Sequence, residues 1–180
     1  AVSEYPLVSV IIPVRNRPKD IKGCLESLAQ LNYPQEKLEI IVVDDASTDH
    51  TVKVIEAFPV QLIALKKHKQ ASYCRNIAAS RAKGEILAFI DSDCLAGPQW
   101  LLELTPSFKD QSIGAVGGFV DGFYEKSGLD RYEKIKSSLN MGVWPKRSKR
   151  SDPFFYLPSC NLLVRRERFI SLGGFKEKLV

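Results

Sequence analysis

The chain has 180 residues, 44% of them hydrophobic, which is enough for one domain with a continuous core and too few to expect two. Its net charge of +5, with an isoelectric point near 9.0, suits anionic ligands, membrane surfaces or nucleic acid without choosing among them. No apolar run approaches the ~20 residues of a membrane span, no leader pattern opens the chain, and the four cysteines (Cys24, Cys74, Cys94, Cys160) form no CxxC pair, which reads as reduced thiols in a reducing compartment.

The run 7–14 is almost continuously apolar, rich in Val and Ile, and short, so it predicts a buried strand. Ile21, Cys24, Leu25, Leu28 and Leu31 then recur at helical spacing behind Pro18. Residues 38–43 predict a second buried strand that runs into Asp44-Asp45. Ser47-Thr48-Asp49 supplies capping side chains for a short helix through Val54 and Ile55. Residues 60–65 predict a third strand, and 71–82 a helix with Cys74, Ile77 and Ala78 inward and Gly84 as its C-cap. Residues 86–90 predict a fourth strand ending in Asp91-Ser92-Asp93, followed by a helix over 99–108 and a fifth strand over 113–116. Beyond Gly118 the pattern loosens. A weak helix over 131–139 precedes a basic knot at 146–150, and 126–152 is expected to hold the most mobile segment. Strand-like composition returns over 154–164, and a short helix over 166–172 ends at Gly173-Gly174.

Strands alternating with amphipathic helices predict an α/β domain: a mostly parallel, Rossmann-like sheet with helices on both faces. Ligands of such sheets sit outside the carboxyl ends of the strands. The polar clusters fall there: Arg15-Asn16 after the first strand, Asp44-Asp45 after the second, Asp91-Ser92-Asp93 after the fourth.

Asp91 and Asp93 are spaced i, i+2, so an extended strand puts both carboxylates on one face, and a turn lets them converge on one cation. Hard oxygen ligands of this kind suit Mg²⁺ or Mn²⁺, which keep waters and take substrate phosphates as further ligands. A solvated turn is the plain alternative, set aside here because the buried run 86–90 leads directly into the pair. Asp44-Asp45 reads either as a turn-and-cap cluster or as a carboxylate that accepts an N–H from a uracil-type base. Arg75 reads either as a solvated arginine or as a cation that offsets diphosphate charge. His50 and His68 are isolated and read as surface residues, and the basic knot reads as a solvated loop.

Taken in order, these segments resemble one family. Val8-Ser9-Val10-Ile11-Ile12-Pro13-Val14-Arg15-Asn16, the VDDxSxD-like stretch 39–49, Arg75-Asn76 followed by Ala82-Lys83-Gly84-Glu85, Phe89-Ile90-Asp91-Ser92-Asp93, the stretch 158–166 and Gly173-Gly174-Phe175 are similar to the successive motifs of the family 2 glycosyltransferases, which have the glycosyltransferase A fold. The resemblance covers essentially the whole chain. It implies a single nucleotide-sugar-binding domain over 1–180, incomplete at its C-terminus, and an inverting, metal-dependent transfer from a nucleotide sugar, a UDP-sugar first among them, to a saccharide or lipid-linked acceptor. It also implies that Pro13 and Arg15 border the nucleoside, Asp45 binds the base, Arg75 lies near the diphosphate, Asp91 and Ser92 contact the substrate, and Asp93, with Asp91 beside it, ligates Mg²⁺ or Mn²⁺. The general base of the family is an Asp in an ED motif downstream of GGF and is expected beyond Val180. A cytoplasmic location, at the inner face of the membrane, a role in cell-envelope polysaccharide synthesis and no nucleic-acid partner complete the expectation. Two other readings compete. A non-catalytic nucleotide-sugar-binding module fits the same donor residues. A haloacid-dehalogenase-type phosphatase also uses DxD after a strand, but wants Thr or Val two residues beyond it, where this chain has Leu95 after Cys94.

Overall fold

The computed structural model describes residues 5–121 and 157–177. Five of its six strands follow the predicted runs closely: β1 Val8–Val14, β2 Leu38–Asp44, β3 Gln61–Ala64, β4 Ile86–Ile90 and β5 Ala115–Gly117, with β6 at Asn161–Arg165. The helices are α1 Pro18–Leu28, α2 Thr51–Ile55, α3 Ala71–Arg81, α4 Trp100–Leu104 and α5 Arg166–Ser171. The sheet order is β3-β2-β1-β4-β6-β5. β1 pairs in parallel with both β2 and β4, and β2 with β3.

β1 is buried at every position because it is central and covered on both faces. Its side chains alternate between two cores. Val8, Val10, Ile12 and Val14 pack with Ile21, Cys24, Leu25 and Leu28 of α1 and with Trp100 and Leu101 of α4. Ile11 points the other way, into a second core with Ile41, Val43, Leu87, Phe89, Cys74 and Ala78 of α3, and Phe169 of α5. The expectation of helices on both faces is met.

Ser9 is a polar residue in the middle of this strand and is fully buried. Its hydroxyl donates to the Glu39 carboxylate and accepts the Gly84 N–H at 2.8 Å. This explains one expectation that fails. Gly84 does not cap α3, which ends through an extended Ala82 (φ −62°, ψ 141°). Gly84 is needed for close approach: a Cβ there would lie 2.5 Å from the Ser9 backbone nitrogen.

Three further departures have local causes. The helix expected over 99–108 splits into α4 and a 3₁₀ turn, Thr105–Lys109. Pro106 supplies no N–H for a continuing α-helix, and Thr105 Oγ1 donates back to the Leu101 carbonyl at 2.8 Å. Among the described residues the strand expected over 154–164 starts at Asn161, because residues 157–160 turn first, with Asn161 N–H donating to the Pro158 carbonyl. That strand also runs backwards: β6 is antiparallel to both β4 and β5, so it is inserted between two strands that share the direction of β1. The expected helix over 131–139, the basic knot and the mobile segment lie outside the described residues.

Candidate functional site

The strand order leaves β1 in two directions, toward β2 and toward β4, so a crevice opens at their carboxyl ends. A cleft of about 380 Å³ occupies that place, lined by Pro13, Arg15, Arg17, Asp45, His68, Gln70, Arg75, Asp91, Ser92 and Asp93, among others. Every residue singled out from the sequence as a donor or metal contact therefore lines one cleft, although they come from three strand ends and one helix.

The rim is built by hydrogen bonds between consecutive loops. Asp45 N–H donates to the Val14 carbonyl at 2.8 Å, Asn16 N–H to Ser47 Oγ at 2.9 Å, Thr48 N–H to Asn16 Oδ1 at 2.8 Å and Arg17 N–H to Thr51 Oγ1 at 3.0 Å. Asn16, Ala46 and Gln70, one in each of the loops after β1, β2 and β3, have φ values of 51°, 56° and 79°. Asn accepts the left-handed region readily, whereas Ala and Gln there carry local strain of the kind concentrated at functional sites.

The two adjacent aspartates divide their work. Asp44 takes the turn role, with Oδ2 accepting Ser47 N–H at 3.0 Å, while its Oδ1 is buried without a hydrogen-bond partner. Asp45 faces the cleft. Its Oδ1 accepts Lys69 N–H at 2.7 Å, and its Oδ2 accepts Gln70 N–H at 3.0 Å and meets His68 Nδ1 at 2.7 Å. A carboxylate has about four lone-pair sites, so these three bonds leave one site on Oδ1 unused. The reading of His68 as an isolated surface residue is thus half right: its side chain is 47% exposed, yet it is paired with Asp45 and lines the cleft. Only its position beyond the carboxyl end of β3 could have signalled this.

Across the cleft, Cys94 N–H donates to the Asp91 carbonyl at 3.0 Å, closing a turn that carries Asp91 and Asp93 past the end of β4. Each carboxylate meets an arginine from another element. The Arg75 guanidinium, only 10% exposed, donates to Asp91 Oδ1 and stands 5.6 Å over the Phe175 ring. Arg17 lies 3.7 Å from Asp93 and 3.0 Å from Asp20. Asp20, then Asp93, hold the Arg17 guanidinium above its usual range. Arg75 is therefore not simply a solvated arginine. Beside it, Asn76 clamps the GGF segment: its Nδ2 donates to the Phe175 carbonyl at 2.8 Å and its Oδ1 accepts Phe175 N–H at 2.9 Å. Beneath the turn, burial followed by the Asp93 and Asp91 charges pushes the Cys24 thiol up to about 12.

Among the described residues no three His, Cys, Asp or Glu side chains form a ready-made metal cage. Asp91 and Asp93 nevertheless offer hard oxygens at the open mouth of the cleft, 36% and 53% exposed, which fits a cation that keeps waters and takes phosphate oxygens as its remaining ligands. No helix among the described residues is long and apolar enough to cross a membrane.

Comparison with known proteins agrees with this geometry. The glycosyltransferase AglE of Haloferax volcanii is 33% identical over 183 residues, covering 99% of this chain and 59% of the relative. The mannosyltransferase PcManGT of Pyrobaculum calidifontis, solved with GDP-Man and Mn²⁺, superposes with a TM-score of 0.74 at 27% identity, covering 98% of this chain and 49% of that one. S. aureus TarS 1–349, solved with UDP, gives 0.72 at 25% identity, covering 94% and 50%. The chain thus spans between about half and three-fifths of the length of these relatives, and its fold is the glycosyltransferase A fold. The profile of Glycosyl transferase family 2 matches residues 9–172, and with a cleft of this build at the carboxyl ends of its strands, the chain belongs to that family.

Proposed function

We propose that this chain binds a nucleoside-diphosphate sugar together with Mg²⁺ or Mn²⁺ in the cleft at the ends of β1, β2 and β4, and serves its transfer to a saccharide or lipid-linked acceptor. The observation that carries the reading is the opposition of Asp45 to the Asp91-Ser92-Asp93 turn across one cleft, with a buried Arg75 on Asp91 and an exposed Arg17 beside Asp93. Asp45, with one acceptor site open, takes an N–H of the base. Uracil and guanine both offer such a donor, and the two solved relatives hold UDP and GDP-Man respectively. Pro13 and Arg15 border the nucleoside, and Ser92 lines the diphosphate side. Asp93 would hold the cation directly with Asp91 supporting it, and that role would loosen Asp91 from Arg75. That leaves the Arg75 guanidinium to meet the diphosphate. When bound, the cation supplies charge that stabilises the departing nucleoside diphosphate. Direct displacement with inversion at the anomeric carbon, work at the inner face of a membrane and a role in envelope polysaccharide synthesis belong to this proposal. Family membership sets aside the phosphatase reading.

Titration calorimetry with UDP and GDP, each with and without Mn²⁺, tests it. Binding should need the cation, and Asp93→Ala should abolish the cation-dependent part while leaving the thermal transition near that of the wild type, because Asp93 is exposed. Metal-independent binding, unchanged in Asp93→Ala, would overturn the assignment.

A further inference from the structure

Gln70 stands in a backbone conformation that its residue type resists. It precedes α3 with φ 79° and ψ 161°, a region that glycine occupies freely and that a residue with a Cβ enters only under strain. The bonds around it hold it there. Its N–H and that of Lys69 donate to the two oxygens of the buried Asp45, at 3.0 and 2.7 Å, and its carbonyl accepts Cys74 N–H at 3.2 Å, at the start of α3. On the side of the loop, all of these bonds use main-chain atoms. A glycine at 70 would make the same bonds without the strain.

The side chain therefore needs a reason of its own, and two ordinary reasons are absent. A polar residue that opens a helix commonly caps it through its side chain, and Gln70 makes no such bond to α3. Packing does not hold it either, because the residue is exposed. It lines the cleft instead, in company with Asp45, His68 and Arg15. A glutamine amide offers two N–H donors and one carbonyl acceptor. Uracil and guanine each carry a carbonyl oxygen directly beside a ring N–H. A carboxylate that takes the N–H and an amide that donates to the neighbouring oxygen together match that edge, donor to acceptor and acceptor to donor.

We propose that Gln70 is a base-recognising residue of the donor site, whose side-chain amide donates to the base carbonyl flanking the N–H held by Asp45. The strained loop sets the two residues side by side, since the same turn that delivers the Gln70 N–H to Asp45 Oδ2 carries the Gln70 side chain at the cleft rim. Recognition and stability are thereby opposed at one position: glycine suits the fold, and glutamine suits the ligand. This inference rests on the donor reading proposed above.

Two variants separate the effects. Gln70→Ala keeps the Cβ and the strain and removes the amide, whereas Gln70→Gly removes both. Thermal denaturation is compared for the two, and calorimetry with UDP, GDP and inorganic pyrophosphate, each with Mn²⁺, is run on them beside the wild type. At an unstrained position Gly is less stable than Ala, because it has more freedom to lose on folding. At 70 the order should invert, with Gln70→Gly melting about 2–4 °C above Gln70→Ala. Both variants should bind UDP and GDP about 3–10-fold more weakly than the wild type, the factor set by one lost hydrogen bond. Pyrophosphate, which has no base, should not distinguish them from the wild type. Unchanged nucleotide affinity in Gln70→Ala overturns the base contact, and so does an equal loss for pyrophosphate, which marks a disturbed cleft. Gln70→Ala melting above Gln70→Gly overturns the strain. A wild type that binds neither nucleotide overturns the donor reading and this inference with it, whereas nucleotide binding that Gln70→Ala leaves intact overturns this inference alone.

Discussion

Gly84 shows how a single hydrogen atom in place of a methyl group can fix a strand. Its N–H meets a buried Ser9 hydroxyl at 2.8 Å, and its Cα presses against the Ser9 backbone. Because the colliding atom is main chain in the central strand, it cannot move aside. Gly84→Ala should therefore destabilise the fold by about 1–3 kcal/mol, the usual cost of overpacking a close-packed site. Urea denaturation followed by circular dichroism measures it, and a change within about 0.5 kcal/mol, typical of an exposed site, would show that the two segments can part. A Gly after a helix followed by Glu85 and a strand carries the same letters whether it caps or touches. The sequence makes the glycine conspicuous, and only the neighbouring strand reveals why it is there. The same limit hid the partnership of His68 with Asp45, formed across 23 residues.

At the scale of elements, α3 links the two sides of the site. Arg75 reaches forward to Asp91, and the next residue, Asn76, holds both backbone groups of Phe175. Gly174, at φ 72°, belongs to this fit, since a Cβ there would lie 2.5 Å from Asn76 Oδ1. Neutral hydrogen bonds contribute about 0.5–1.5 kcal/mol each. Asn76→Ala removes these two and a third, from Nδ2 to the Glu177 carboxylate, and should speed amide exchange at Phe175 about tenfold or more, the factor that corresponds to ~1.4 kcal/mol. Exchange within β4 should stay unchanged, and hydrogen-exchange mass spectrometry resolves the two segments. Unaltered protection at Phe175 would mean that ring packing against Phe89 and Phe169 holds the segment by itself. Elements of this kind were largely legible in the sequence, because apolar periodicity and the polar clusters at strand ends are local signals. The direction of β6 was not. A short apolar run flanked by polar residues, Asn161 to Arg165, reads the same along either direction, and only its insertion between β4 and β5 sets the sense.

For the whole molecule, the buried ionisable groups set an alkaline limit. Burial raises the thiols of Cys24 and Cys74 from 9.0 to about 12, and the Tyr33 hydroxyl, which donates to the Pro6 carbonyl, from 10.0 to about 12. Each group is held neutral in the folded state and ionises earlier in the unfolded chain. The stability they contribute is complete below about pH 9 and is lost as pH rises toward about 12. Stability from urea titrations should therefore fall steadily across that window, and Cys24→Ala should make the fall shallower. An identical slope in the variant would mean that Cys24 ionises in the folded state as it does in the unfolded one.

The two cores on either face of the sheet have a consequence for how the chain tolerates change. Ile21 belongs to one core and Ile41 to the other, with no shared cluster between them. Substitutions in non-contacting sites add to within about 0.3–0.5 kcal/mol. Ile21→Val combined with Ile41→Val should therefore cost the sum of the two single changes. Val43→Ala with Ile63→Val, partners in register within one core, should depart from that sum. The sheet acts as a partition between two nearly independent sets of mutations. One set underlies the DxD turn through Cys24, and the other underlies Arg75 through α3. Drift or engineering on one face can then reshape half of the cleft while the other half keeps its scaffold, so a lineage can explore new ligands without risking both halves together.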